Sequence, residues 1–351
     1  MLKEEELKKE SGVVSNEEKI ESDDSIPEES KGLTEVKGIG PKTAIKLIDG
    51  GVTTPQQLAG ARAEEIAGIL GISKKVARDI VNDAMNKFLD KTVTLGNFRT
   101  AIDHQEKVVK RIPTGSTAFD KIMKGGIPTE AITIFKGEYE TGKSEMCYQL
   151  AVNCIKYFAR KVVWIETESH TFIPERLAEI AKSSGVKIKD DDIIYIDAGQ
   201  TVTCYNMHLA YERIKRAVEK DPSIDIGLWI IDSFSPPFSI LNSREQLPDR
   251  AKEERRHLGF LVHFANQHNT AVVLTAQVMD IPDPGAQLGE MVKSGHKKKM
   301  VGGGPVQHGG TYLISLEQKS IKQYEGIVFG APDVPRTPFR FNITSAGIRD
   351  I

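Results

Sequence analysis

Eight residues constrain the fold of this 351-residue chain more than any others: GEYETGKS, at 137–144, fits the spacing GxxxxGK[ST]. They follow the β-branched run AITIF (131–135) and open a stretch of helical periodicity over 143–159. A phosphate-binding loop needs that order of strand, tight turn and helix. Gly137 and Gly142 allow the tight path, so that backbone N–H groups converge on an anion. The helix N-terminus adds partial positive charge. Gly137, Glu138, Tyr139, Glu140, Thr141, Gly142, Lys143, Ser144 and Glu145 are therefore expected to surround a nucleotide's phosphates. Lys143 would neutralise the β and γ phosphates, and Ser144 would hold Mg²⁺.

The alternation continues past the loop. Short apolar runs recur at VVWIE (162–166), IIYID (193–197), GLWIID (227–232) and AVVLTA (271–276), with amphipathic stretches such as 174–184 and 205–220 between them. Strands and helices alternating at this spacing predict an α/β fold with a mostly parallel sheet covered on both faces. TYLISLE (311–317), IVF (327–329) and FRFNI (339–343) predict an antiparallel extension. Upstream, apolar residues stand at helical spacing over 33–87, with turns at GIGP (38–41), DGG (49–51) and LGIS (70–73). They predict four or five short helices, the last capped by Ser73, in a small all-α domain over 33–88. Residues 89–110 read as a linker and 111–351 as the α/β core.

The formal charge of −2 is a poor guide to partners, because the charges are unevenly spread. Residues 1–32 hold eleven Asp/Glu, five Lys and no aromatic residue, which predicts a disordered acidic tail. Without that tail the chain carries +4. The tail is expected either to solvate the chain or to compete with an anionic partner for basic surface. No apolar run approaches the roughly 18 residues needed to span a bilayer. The N-terminus, MLKEEELKKE, lacks an apolar signal region. Three cysteines without a CxxC exclude a disulfide framework and a zinc ribbon, and fit a reducing cytoplasm.

Further residues point to chemistry. Asp232 ends an apolar strand, as the metal-side acid of phosphate-loop ATPases does. Glu168 follows VVWIE and would orient an attacking water, with Glu166 as the nearer competitor. Gln277 ends AVVLTAQ and would sense a γ-phosphate, or else bond to backbone. In VKGIGPKTA (36–44), Gly38 and Gly40 would present backbone amides to a phosphate, flanked by Lys42. Residues 280–310 read as a glycine-rich basic loop, with Lys293, Lys297, Lys298 and Lys299 and then Gly302 and Gly303. The eight histidines show no metal-ligand spacing, and Cys147 and Cys154 read as core.

The order of these motifs, with IPTGSTAFDKIMKGGI (112–127), ETESHTFIPERL (166–177), LTAQV (274–278) and ITSAGIRD (343–350), resembles the archaeal RadA recombinases, relatives of bacterial RecA. The resemblance covers about 33–351. It implies a RecA-like ATPase core behind a helix-hairpin-helix domain, and ATP and Mg²⁺ as cofactors. It also implies a helical filament or ring of identical subunits on single-stranded and double-stranded DNA, recombination mediators as partners, and a place at the nucleoid. On the same grounds Lys143, Ser144, Asp232, Glu168 and Gln277 take their expected roles. Arg176 would pack near the adenine, and Pro332 (in APDVP) would cap ATP from the neighbouring subunit. Phe98 and Ala101 (in FRTA) would enter pockets on that neighbour. Arg244 and Arg250 align with basic positions of a first DNA-binding loop at 234–250.

The chain also departs from the family pattern. Glu140 and Glu145 put negative charge in and after the phosphate loop, Ser239 stands where a basic residue is expected, and KSGHKKKM is unusually basic. Two alternatives to an active recombinase therefore stand. One is a regulatory paralogue that binds DNA and ATP without efficient strand exchange. The other is a different RecA-fold motor ATPase.

Overall fold

The computed structural model describes residues 28–89, 98–168, 171–199, 202–241, 243–294 and 298–351. Most of the expected acidic tail lies outside the described residues. The chain divides into two compact units, Met1–Thr100 and Ala101–Ile351.

In the first unit a 3-10 turn (Glu28–Glu35) precedes four helices: α1 (Pro41–Asp49), α2 (Pro55–Gly60), α3 (Ala63–Leu70) and α4 (Lys74–Ala84). Leu33, Ala44, Leu47, Leu58, Ile66 and Ala77 are fully buried among them. The Ser73 hydroxyl accepts from Val76 N at 3.4 Å, which caps α4 as expected. One aromatic residue joins this core: Phe88, in the π turn Met85–Leu89, is buried against it. A further helix, α5 (Phe98–Lys107), occupies the second half of the stretch read as a linker.

In the second unit a helix α6 (Thr117–Ile122) precedes the main sheet. The strands are β1 (Ala131–Lys136), β2 (Lys161–Glu166), β3 (Ile193–Asp197), β4 (Ile226–Asp232), β5 (Ala271–Ala276), β6 (Tyr312–Gln318), β7 (Gln323–Gly330), β8 (Thr337–Thr344) and β9 (Gly347–Arg349). Their order is β9-β8-β7-β6-β1-β5-β4-β2-β3. The helices are α7 (Lys143–Phe158), α8 (Pro174–Ser183), α9 (Cys204–Lys220), α10 (Leu247–His268), α11 (Pro284–Ser294) and α12 (Gly303–Gly309). Every residue of β1, β4 and β5 is buried. Side chains alternate between the two faces: Phe135, Trp164 and Ile230 meet α7 and α8, while Val163, Trp229 and Ile231 meet α9 and α10. That double cover is why these strands read as continuous apolar runs.

The antiparallel part starts one strand later than expected. β6 pairs parallel with β1 and antiparallel only with β7. The intervening chain is long enough for a crossover, so β6 enters in the direction of β1. The stretch 280–310, expected as a loop, contains α11, α12 and a short strand Lys299–Met300 that pairs with Val278–Met279 just before it. Gly285 and Gly289 hid α11 from a propensity reading. The Asp283 side chain accepts from Gly285 N at 2.9 Å at its start.

Asp350 ties the end of β9 back to α6. Its carboxylate accepts from Ser116 Oγ (2.9 Å), Thr117 N (3.0 Å) and Ala118 N (3.3 Å). Asp350→Ala should therefore cost about 1 kcal/mol in urea unfolding, the usual magnitude for a lost helix cap. An unchanged midpoint would mean that the cap adds nothing to stability.

Candidate functional site

Register places the site. Glu166 on β2 is the partner of Asp232 on β4, and Lys136 on β1 is the partner of Ala276 on β5. The carboxyl ends of four parallel strands thus form one rim, where ligands of open α/β sheets bind. The phosphate loop leaves β1 at this rim. A Cβ on Gly137 would stand 2.6 Å from the Leu316 carbonyl, so only glycine fits. Gly142 has φ +89° and precedes the first turn of α7. Glu140 holds φ +61° in the same left-handed region without glycine's freedom.

The rim opens into a cavity of about 660 Å³ lined by 137–145 together with Glu168, Asp232, Gln277 and Lys298. The Lys143 ammonium reaches back to donate to the carbonyls of Gly137 (3.1 Å) and Glu138 (2.5 Å). Burial pulls its pKa down, and the charges of Asp232 and Glu168 oppose that pull. Asp232 accepts from Ser144 Oγ at 2.6 Å and from Thr275 Oγ1 at 2.5 Å. Burial raises its pKa, while these two hydroxyls work the other way. Ser144 and Asp232 are hard oxygen donors at the start of a phosphate-binding helix, so they fit Mg²⁺. The lining also favours a divalent ion: its carboxylates (Glu138, Glu140, Glu145, Glu168, Asp232) outnumber its ammonium groups (Lys143, Lys298). A nucleotide polyphosphate would need added positive charge to enter.

The two candidate glutamates separate cleanly. Glu166 accepts from the N–H groups of Thr171 and Phe172 and from the hydroxyls of Thr171 and Tyr195. Burial works to raise its pKa, but these bonds outweigh it and hold the pKa down. It braces the 171–173 turn. Glu168 faces the cavity, where Oε1 accepts from Ser233 Oγ (2.6 Å) and Gln277 Nε2 (2.9 Å). The Gln277 carbonyl accepts from Val301 N at 2.9 Å, which joins this network to the 280–310 stretch.

Arg176, on α8, lines an adjoining recess with Glu145, Tyr148 and Ile173. Nε bonds to both Glu145 oxygens (3.0 and 3.1 Å), Nη1 to Glu179 (2.5 Å) and Ser345 O (2.9 Å), and Nη2 to Glu145 (2.7 Å) and Thr344 O (2.6 Å). All five guanidinium N–H donors are used. The pairing of Glu145 with Arg176 was not read from the sequence, nor were Ser233 and Thr275. For Ser233 the available signal was a hydroxyl next to a strand-ending carboxylate; Thr275, on β5, stands beside no carboxylate in the sequence.

The expected DNA contacts meet different fates. Gly38 turns the first unit's hairpin with φ +88°, Gly40 precedes α1, and Lys42 is exposed. Arg244 is exposed, but Arg250 lies in α10 and bonds to the buried Glu254 at 2.9 Å. Lys299 is exposed, whereas Lys298 pairs with Glu138 (3.2 Å) and Asp280 (3.1 Å). Gly302 packs against Val306 and Glu254 and begins α12, of which Gly303 is the first residue. The side chains of Lys293 and Lys297 lie outside the described residues. Pro332 is exposed and lies away from its own chain's cavity lining. Ala101 is exposed on α5, which Phe98 begins; the Phe98 side chain is outside the described residues.

Residues 104–351 match the family model described as Rad51, and residues 30–86 match the SAM-like helix-hairpin-helix tandem. Two similar proteins are both named DNA repair and recombination protein RadA. That of Ignicoccus hospitalis is 33% identical over 333 residues, covering 91% of this chain and 95% of that protein. That of Aeropyrum pernix is 32% identical over 331 residues, covering 92% and 98%.

Burying the ionised Asp232 costs stability at neutral pH. Its raised pKa means that the folded state favours the protonated acid, so its contribution falls as pH rises from the unfolded pKa through the folded one. Asp232→Asn should raise the melting temperature of the nucleotide-free protein at pH 7.5, on the order of a few degrees, and remove the extra stabilisation given by Mg²⁺ with nucleotide. A lower melting temperature for the variant would contradict this assignment.

Proposed function

The chain belongs to the Rad51 family, and on that footing we propose that it is an ATP-dependent recombinase that forms filaments on single-stranded DNA and exchanges strands with homologous duplex. The observation that carries this reading is one cavity shared by the phosphate loop, Asp232, Glu168 and Gln277. Lys143 and the first turn of α7 would bind the phosphates. Ser144 and Asp232 would hold Mg²⁺, which when bound neutralises charge on the β and γ oxygens. Glu168, steadied by Ser233 and Gln277, would orient a water and take up its proton. The side-chain amide of Gln277 would register the γ end of the nucleotide, and its main-chain carbonyl, which accepts from Val301 N, ties that residue to the 280–310 stretch. Turnover would then release DNA. The first unit's hairpin would add backbone contacts to DNA without reading sequence. Among the described residues no helix is long and apolar enough to cross a membrane. Work on DNA at the nucleoid, in the cytoplasm, belongs to the same reading.

A second reading is a regulatory paralogue that binds ATP and DNA but exchanges strands poorly. One observation favours it: Arg250, aligned with a DNA-contacting position, is tied to the buried Glu254. Purified protein with ATP, Mg²⁺, single-stranded DNA and homologous duplex separates the two. Filaments in electron micrographs with joint-molecule formation are expected. Filaments without pairing would favour the paralogue, and closed rings a different motor.

Lys143→Ala should abolish ATP turnover, by about 10² or more, because it removes charge where the phosphates gather. Residual wild-type turnover would refute the ATPase assignment. Phe98→Ala should shorten or abolish filaments while leaving the circular dichroism unchanged. Filaments of normal length would rule out the linker helix as the subunit contact.

A further inference from the structure

The two residues that flank Gly137 both reach the 280–310 stretch. Lys136 projects to Glu290 of α11 at 3.1 Å, with both side chains largely buried, and lies over the Phe329 ring at 4.8 Å. Glu138 projects to Lys298 at 3.2 Å, and Lys298 also meets Asp280 at 3.1 Å. Asp280 and Lys298 adjoin the short strands Val278–Met279 and Lys299–Met300, the pairing from which α11 is hung. Arg336 adds a third hold, donating to the carbonyl of Val292 near the end of α11. The start of the phosphate loop is thus fastened to the basic stretch at two points, and of these the Glu138 contact is the exposed one.

We infer that Glu138 is a built-in phosphate mimic: it holds Lys298 in the nucleotide-free chain, so that a DNA phosphate must displace this carboxylate to gain the lysine. The inference rests on the reading of the 280–310 stretch as a DNA contact. Its physical basis is competition. A Lys ammonium engaged by two carboxylates releases no counterions when DNA arrives, so it adds nothing to the salt dependence of binding. The hold is weak enough to exchange, because an ion pair open to water is screened by solvent and salt. Glu138 is also part of the phosphate loop, so a shift of that loop on binding a polyphosphate moves the carboxylate and changes what Lys298 can reach. This link runs beside the one through Gln277 and uses different atoms.

The test is binding of a fluorescent oligo-dT to the full chain without nucleotide, from low to moderate salt, for wild type, Glu138→Gln, Asp280→Asn and Glu138→Gln with Lys298→Gln. Glu138 and Asp280 are exposed and Lys298 is half-buried, and melting curves check the fold. Glu138→Gln should bind about two- to fivefold more tightly, as loss of a surface ion pair allows. Its plot of log K against log salt should steepen by about 0.7, one single-strand phosphate contact. Asp280→Asn should shift both in the same direction, and adding Lys298→Gln should cancel the gain. Affinity and slope unchanged in Glu138→Gln, or a gain that survives loss of Lys298, would overturn the inference. Absence of oligo-dT binding in every form, wild type included, would instead overturn the DNA reading on which it rests.

Discussion

Placing an ionised carboxylate at the end of a wholly buried strand costs several kcal/mol, and the arrangement of this site follows from how that cost is offset at Asp232. Two hydroxyls reach it, Ser144 from the first turn of α7 and Thr275 from β5. Lys143 supplies nearby positive charge. Lys143 and Ser144 open α7 and Thr275 lies on β5, so the end of the phosphate loop, β4 and β5 have to meet within hydrogen-bonding distance. The parallel register makes that meeting a property of the sheet, since slipping one strand by a residue would turn the carboxylate to the opposite face.

The sheet was legible because strands buried on both faces have no polar positions to disguise them. AITIF, VVWIE and GLWIID map onto β1, β2 and β4 within a residue or so. The phosphate loop was legible because its geometry demands glycine at fixed spacing. What escaped the sequence were elements stabilised by tertiary contacts. α11 carries two glycines and is held by residues far away in sequence: Lys136 reaches its Glu290 across 154 positions, and Arg336 its Val292 across 44. Phe88 joins a core otherwise built from small aliphatic residues, and nothing in its local pattern marks it.

Roles within the site were harder to read than membership of it. Glu166 and Glu168 stand two apart, on a strand end that presents both toward the same rim. Sequence spacing cannot rank them. The ranking comes from where backbone amides and the Tyr195 hydroxyl fall, and they fall on Glu166. The same holds for the basic residues. Lys298 and Arg250 look alike on paper as free cations, yet Arg250 meets Glu254 one helical turn along α10, and Lys298 meets Glu138, which only the folded chain brings near. A count of lysines and arginines therefore overstates the positive surface open to a polyanion.

Arg176 shows what such saturation does to a side chain. An arginine loses up to about 2 kcal/mol of rotamer freedom when it is fixed. With its N–H donors spread over Glu145, Glu179, Thr344 and Ser345, this residue has already lost that freedom on folding. Its remaining valence is the flat of the guanidinium, a rigid cationic plate against which an aromatic ring can lie without ordering anything further.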